Sequence, residues 1–213
     1  MNLIFDLDGT LINSLPGIAQ SLNNSLEQLN LPTHSIEAIR EFIGGGSRTL
    51  CERAAKTVDS KTIDQIEAAF KVHYTNLWKS GTEIYPGILE LLSELSKSHE
   101  LSILSNKPHP FTLKIVTELF PANTFHTILG QRAGIEKKPD PKGIHEVIDL
   151  SSQPDQPAYL IGDSIVDLQT ARNASINSIA VLWGFEDLPE LSAESPSHIV
   201  ETVADLEKLI NRI

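Results

Sequence analysis

The stretch Phe5-Asp6-Leu7-Asp8-Gly9-Thr10-Leu11 constrains this 213-residue chain more than any other. It follows a short apolar run, Leu3 to Phe5, that reads as a buried strand. Residues i and i+2 point the same way on an extended backbone, so Asp6 and Asp8 would face one side and repel each other. At the end of a buried strand that is tolerable only if a cation, a donor network or a shared proton relieves the repulsion. Gly9 permits a sharp turn just beyond them. A pair of surface acids flanking a turn is the plainer alternative. The apolar residues Phe5 and Leu7 argue against it.

After Ser14 the apolar period becomes helical. Ile18, Ala19, Leu22, Leu26 and Leu29 share a face, with Ser14 as candidate N-cap and Pro16 in the first turn. A second helical piece runs from about Ser35 to Phe42 and is broken by Gly44-Gly45-Gly46. Ser47 then caps a third, carrying Leu50, Ala54 and Val58. The fourth aligns Ile63, Ile66, Phe70, Tyr74 and Leu77, and Gly81 ends it. Beyond Tyr85 strands and helices alternate. Strands are expected at Leu101–Leu104, Thr127–Leu129, Ala158–Ile161 and Ser178–Leu182. Helices are expected from Pro86, Phe111, Pro141, Val166 and Ala204. This pattern predicts an α/β fold, a Rossmann-like parallel sheet core with an inserted all-helical cap. The expected boundaries are 1–13 and 86–213 for the core and 14–85 for the cap. Ligands of open parallel sheets bind at the carboxyl ends of the strands, where Asp6 and Asp8 fall.

The net charge of −11 argues against general binding to nucleic acid or to an anionic membrane. An anionic substrate must then be drawn by a local metal or by a few placed lysines and arginines. One cysteine, Cys51, excludes an internal disulfide. No apolar run is long enough to span a bilayer. The N-terminus lacks a basic region followed by an apolar signal core. A cytoplasmic location is expected, with no nucleic-acid or membrane partner and the chain a monomer or homodimer.

Other strand ends also carry reactive groups. Ser105 closes the strand at Leu104 and precedes Asn106-Lys107-Pro108. A hydroxyl and backbone N–H groups there can hold phosphate oxygens, or the serine can simply shape a turn. Adjacent Lys137 and Lys138 lie in a loop stiffened by Pro139 and Pro141. Asp163 and Asp167 follow the strand at Ile161, beside Gly162. They could ligate a metal, or serve as cap and first-turn acid of a helix, and both readings can hold together. Arg48 follows the triple glycine, which is not a Walker loop because it lacks Gly-Lys-Ser/Thr. It is either a surface arginine or a cap residue meeting an anionic group on the substrate.

Taken in order, Asp6-Leu7-Asp8-Gly9-Thr10, Ser105, Lys138 before Pro139-Asp140-Pro141, and Gly162-Asp163 through Asp167 resemble the four motifs of haloacid dehalogenase-like phosphohydrolases. The resemblance spans nearly the whole chain and implies a Rossmann-like core with a helical cap after the first motif. It implies Asp6 as nucleophile and Mg²⁺ ligand, and Asp8 as both backbone-carbonyl ligand and general acid/base, oriented by Thr10. It further implies Ser105 with Asn106 on the phosphate, Lys138 offsetting charge on nucleophile and phosphoryl oxygens, and Asp163 as a direct metal ligand. Asp167 would be a ligand or stand behind one. Ile43-Gly44-Gly45-Gly46, Asn106-Lys107-Pro108 and Trp183-Gly184-Phe185 look like the phosphoglycolate phosphatase subfamily; the plainer alternative for Trp183 is packing beneath the site. Asn13, Gln131 and Ala174-Ser175 depart from its usual residues.

The expected activity is therefore Mg²⁺-dependent hydrolysis of a small anionic phosphomonoester such as phosphoglycolate, through an aspartyl-phosphate. A sugar-phosphate mutase of the same superfamily is the alternative within the class. Such relatives usually carry a histidine in the first cap helix, and Ser14 to Leu31 contains none. A dehalogenase would lack the second acid, and Asp8 is present. A phosphonatase would need a cap lysine, and none precedes Lys56. A non-catalytic phosphate-binding regulator is the alternative outside enzymes. It has no need of the acid/base at Asp8.

Overall fold

The computed structural model describes residues 1–56 and 59–213. Val58, expected in the third helical piece, lies outside the described residues. The chain forms two compact units, one from Met1–Ile12 with Ile84–Ile213 and the other from Asn13–Glu83.

The first unit opens with β1 (Asn2–Phe5), all four residues of which are buried. Then come β2 (Ile12–Asn13) and four helices of the second unit, α1 (Leu15–Gln28), α2 (Ile36–Phe42), α3 (Gly46–Ala55) and α4 (Ser60–Leu77). The chain returns through β3 (Glu83–Ile84), which pairs with β2 in a two-stranded sheet. The remainder alternates: α5 (Ile88–Leu95), β4 (Glu100–Pro108), α6 (His109–Leu119), β5 (Thr127–Gln131), α7 (Lys142–Leu150), β6 (Ala158–Gly162), α8 (Ile165–Asn173), β7 (Asn177–Val181), α9 (Leu188–Ala193), β8 (His198–Val200) and α10 (Val203–Ile210).

The main sheet has the order β5-β4-β1-β6-β7-β8, and every pairing in it is parallel. The fold is α/β and Rossmann-like. β1 lies between β4 and β6, so successive connections leave it first to one side and later to the other. That reversal opens a crevice at the carboxyl ends of these strands. The apolar run at Leu3–Phe5 suits this central place because β1 is covered on both faces. On one face Ile4 joins Leu104, Leu129 and Leu160 from the sheet, with Ile144 and Val147 of α7 and Ala171 of α8. The core is anchored where the reactive strand ends begin.

Several local expectations change. Ser47 does not cap α3, whose N-cap is Gly45. The Ser47 hydroxyl instead donates to Glu67 at 2.7 Å. Ser14 holds the N-cap position of α1 without a side-chain hydrogen bond, and Pro16 supplies the preset first-turn geometry. Ser35 and Asp59 do cap α2 and α4. β4 continues past Leu104 to Pro108, with a register break against β5 over that stretch. α9, β8 and the β2–β3 pair are additional to the expected elements.

Candidate active site

Asp6 follows β1 directly, and its N–H donates to the Ile161 carbonyl of β6 at 2.9 Å. That bond continues the ladder one residue past the strand and fixes the carboxylate at the crevice. Beyond it the chain turns, with Leu11 and Ile12 N–H groups both donating to the Leu7 carbonyl. The two aspartates are relieved by different lysines rather than by one shared partner. Lys138 Nζ lies 2.9 Å from Asp6 Oδ1. Lys107 Nζ donates to Asp8 Oδ1 at 3.0 Å and to Oδ2 at 2.9 Å.

Lys138 is almost wholly buried, and its Nζ also donates to Asp167 Oδ1 at 2.5 Å. Its backbone is clamped by Asn106, whose amide donates to the Lys138 carbonyl at 3.0 Å and accepts from the Lys138 N–H at 2.8 Å. Asn106 thus ties the end of β4 to the loop after β5 and aims the lysine. Ser105 is buried, and its hydroxyl accepts from the Lys107 N–H at 3.3 Å, a turn contact made at the mouth of the crevice.

Asp163 follows β6 and is 1% exposed. Thr10 donates to its Oδ1 at 2.7 Å and the Phe185 N–H to its Oδ2 at 2.8 Å. Thr10 therefore steadies Asp163, where the expected partner was Asp8. Two glycines make room for this carboxylate. A Cβ on Gly9, whose φ is +90°, would come within 2.1 Å of Asp163 Oδ2, and one on Gly184 within 2.1 Å of Asp163 Cβ. Asp167 is wholly buried and serves α8 as well: Ser164 and Asp167 form a capping box, the Ser164 hydroxyl and N–H donating to Asp167 Oδ2 at 2.6 and 3.2 Å. The helix-cap reading and the functional placement hold together.

Electrostatics follow from this crowding. Burial pushes the Asp6 carboxyl up to about 7; Lys138 opposes the rise, and Asp167 and Asp8 add to it. Burial, with Asp167 and Asp6 nearby, raises Asp163 well above the usual carboxylate range, against the pull of the Phe185 N–H and Thr10 hydroxyl. Burial disfavours the charge on Lys138, but Asp167 and Asp6 outweigh it and hold the ammonium. Asp6, Asp163 and Asp167 each offer an oxygen within 4.8 Å of the others. Asp6 Oδ1 is buried, and the Lys138 ammonium is its partner, at 2.9 Å. Counting Asp8, four carboxylates face two ammonium groups. An all-oxygen donor set with more carboxylates than ammonium groups fits a hard divalent cation.

A sequence profile for the haloacid dehalogenase-like hydrolases matches residues 3–181. The chain belongs to the haloacid dehalogenase-like hydrolase family. A phosphoglycolate phosphatase of Mesorhizobium japonicum is 34% identical over 190 residues, covering 87% of this chain and 84% of that one. Another, from Pseudomonas syringae pv. tomato, is 31% identical over 215 residues, covering 98% and 78%. A solved structure from Lactobacillus delbrueckii subsp. bulgaricus, provisionally named a phosphoglycolate phosphatase, superposes with a TM-score of 0.92 at 31% identity, covering 98% and 97%. This haloacid dehalogenase-like chain is an enzyme of the phosphatase type.

Arg48 lies in the other unit. Its guanidinium pairs with Asp64 at 2.6 Å, Glu52 at 3.4 Å and Glu67 at 3.8 Å. An arginine balanced by three carboxylates offers an incoming anion little net positive charge. Trp183 Nε1 donates to the Thr10 carbonyl at 3.0 Å, bracing the turn after β1. Should Arg48 be a surface residue, the sequence leaves Lys107 or the Trp183 loop for specificity; Glu186, which accepts from the Ile165 N–H at 2.6 Å at the start of α8, is not singled out by it. The glycine between two aromatics after β7 was the available signal for this loop. No described helix is long and apolar enough to cross a membrane.

Proposed function

We propose that the chain hydrolyses small anionic phosphomonoesters, phosphoglycolate foremost, through an aspartyl-phosphate on Asp6. The supporting observation is the meeting of Asp6, Lys138, Asp163 and Asp167 at the carboxyl ends of β1 and β6. The names of the relatives support phosphoglycolate as substrate.

In the first half, an Asp6 oxygen bonds to phosphorus and the bond from phosphorus to the ester oxygen breaks. Asp8 gives the departing alkoxide a proton. In the second half, water bonds to phosphorus, Asp8 takes its proton, and the Asp6–phosphorus bond breaks to release inorganic phosphate. Lys138 stabilises negative charge on Asp6 and the transferring oxygens. Ser105 and nearby N–H groups hold the phosphoryl oxygens, while Asn106 keeps Lys138 on target. A Mg²⁺ ion held by Asp6, Asp163 and the Asp8 carbonyl would supply charge cancellation between the two anions. Asp167, already taken by Lys138 and Ser164, stands behind these ligands.

The test is phosphate release from a panel of small esters, phosphoglycolate included, with Mg²⁺ and with excess chelator. Metal-dependent release with the highest kcat/KM for phosphoglycolate is expected. Equal release in chelator would overturn the metal assignment, and a flat panel the substrate assignment.

A further inference from the structure

Lys107 is a lysine held inside the core unit. It is 8% exposed, and its Nζ grips both oxygens of Asp8, the group that must exchange protons with the leaving alcohol and the water. Its backbone is fixed from several sides. The N–H donates to Ser105 Oγ, the carbonyl accepts from Thr112 Oγ1 at 3.1 Å, and a Cβ on Gly130 would come within 2.7 Å of that carbonyl. The register break in β4 between Leu104 and Pro108 falls over this stretch. The main chain is therefore held, while four methylenes let the ammonium move between partners.

An Asp8 carboxylate held through both oxygens by one ammonium meets a leaving group only with its remaining lone pairs, so Lys107 competes with the leaving oxygen for it. With side-chain exposures of 6% for Lys107 and 13% for Asp8, parting the two leaves a poorly solvated cation. An anion that takes Asp8's place offsets the cost of that separation. A phosphate ester with a carboxylate beside the ester carbon brings such an anion. A neutral ester does not. Arg48, the other candidate receptor, is already balanced by Asp64, Glu52 and Glu67.

We propose that Lys107 is the core's receptor for a carboxylate on the substrate, and that passing from Asp8 to this carboxylate frees Asp8 for the leaving oxygen. The proposal rests on the phosphatase reading above. It makes Lys107 a specificity-determining residue that favours carboxylate-bearing esters twice, by binding them and by releasing Asp8.

The experiment measures kcat and KM with Mg²⁺ for phosphoglycolate and for its carboxamide, an uncharged ester of the same size. para-Nitrophenyl phosphate serves as a generic substrate. Wild type should favour the carboxylate by about tenfold or more in kcat/KM. Lys107→Met should lower kcat/KM for the carboxylate by a similar factor and raise kcat for the carboxamide, because Asp8 is no longer held. A merely structural lysine would lower both substrates together, and that result overturns the proposal. So does a preference lost in Arg48→Ala but kept in Lys107→Met. Lys107→Gln is the second variant. If neither variant folds, the wild-type ratio decides, and a value near one overturns the proposal. Should that ratio be near one while para-nitrophenyl phosphate is still cleaved, the phosphatase reading stands and only the role of Lys107 falls. No release from any ester overturns both.

Discussion

Asp6 sits where burial and the carboxylates of Asp167 and Asp8 work against its charge, and Lys138 works for it. Asp6→Asn should therefore keep the fold, with a metal-free melting temperature equal to or above wild type, yet lose about 10⁴-fold or more in kcat. Phosphate release and a thermal melt check the two halves, and wild-type turnover would sink the nucleophile assignment. Asp8→Asn should also lose turnover but retain attack on a good leaving group. A phosphoenzyme seen by intact mass with an aryl phosphate is expected for Asp8→Asn and not for Asp6→Asn. Asn106 acts through its neighbour. Asn106→Ala removes two buried hydrogen bonds to the Lys138 peptide, worth about 2 kcal/mol together. Unfolding in urea should report that loss, and kcat should fall because Lys138 is no longer aimed. Unchanged kcat with the stability loss would make Asn106 a structural clamp only.

Elements differ in how openly their sequences announce them. α5 places Ile88, Leu91, Leu92 and Leu95 on one buried face, and its period alone marks it as a helix. α8 buries Asp167 and Thr170 beside Leu168 and Ala171, so its apolar stripe is diluted by groups that serve the site. β8 is a three-residue edge strand with only Val200 buried, and α9 has six residues with only Leu191 buried. Neither carries enough apolar pattern to be seen from the sequence. The loop after β7 is decided by close approach rather than by pattern. Gly184→Ala would drive a methyl group into Asp163, so the loop or the carboxylate must shift. Mg²⁺-dependent turnover should fall by about tenfold or more, since a 1 Å misplacement can cost 10²-fold. Far-UV circular dichroism should stay as in wild type. Full activity in this variant would show that the loop can yield without moving Asp163.

At the scale of the whole molecule, a chain of net charge −11 concentrates four carboxylates and two lysines at one crevice. A bound divalent cation should therefore stabilise the fold, by about 2.7 kcal/mol at a hundredfold excess over its Kd. The Asp6 carboxyl lies near 7 in the fold against 3.8 ordinarily. Its proton favours the metal-free fold below pH 3.8, and that contribution is lost as the pH rises through about 7. Mg²⁺ must displace this proton, so the gain in Tm on adding Mg²⁺ should be larger at about pH 8 than at about pH 5.5. Thermal melts with Mg²⁺ and with chelator at the two pH values measure it. Asp163→Asn should abolish most of the gain. An equal gain at both pH values would contradict a titrating ligand.

The sequence by itself determined the class of fold and the chain order of the reactive groups. Apolar runs of period two and stripes of period 3.6 are local properties, and acids, a serine and a lysine at strand ends can be read without knowing what they touch. Tertiary structure alone decided the partners. Asp6 met Lys138 and Asp8 met Lys107, Thr10 turned to Asp163, and the Asn106 side chain held the Lys138 backbone. Those contacts join residues from 32 to 153 positions apart, as Asn106 to Lys138 and Thr10 to Asp163 show. Sheet order sets which strand ends become neighbours, and the burial of those ends then sets which charge must answer which. No local pattern contains either quantity.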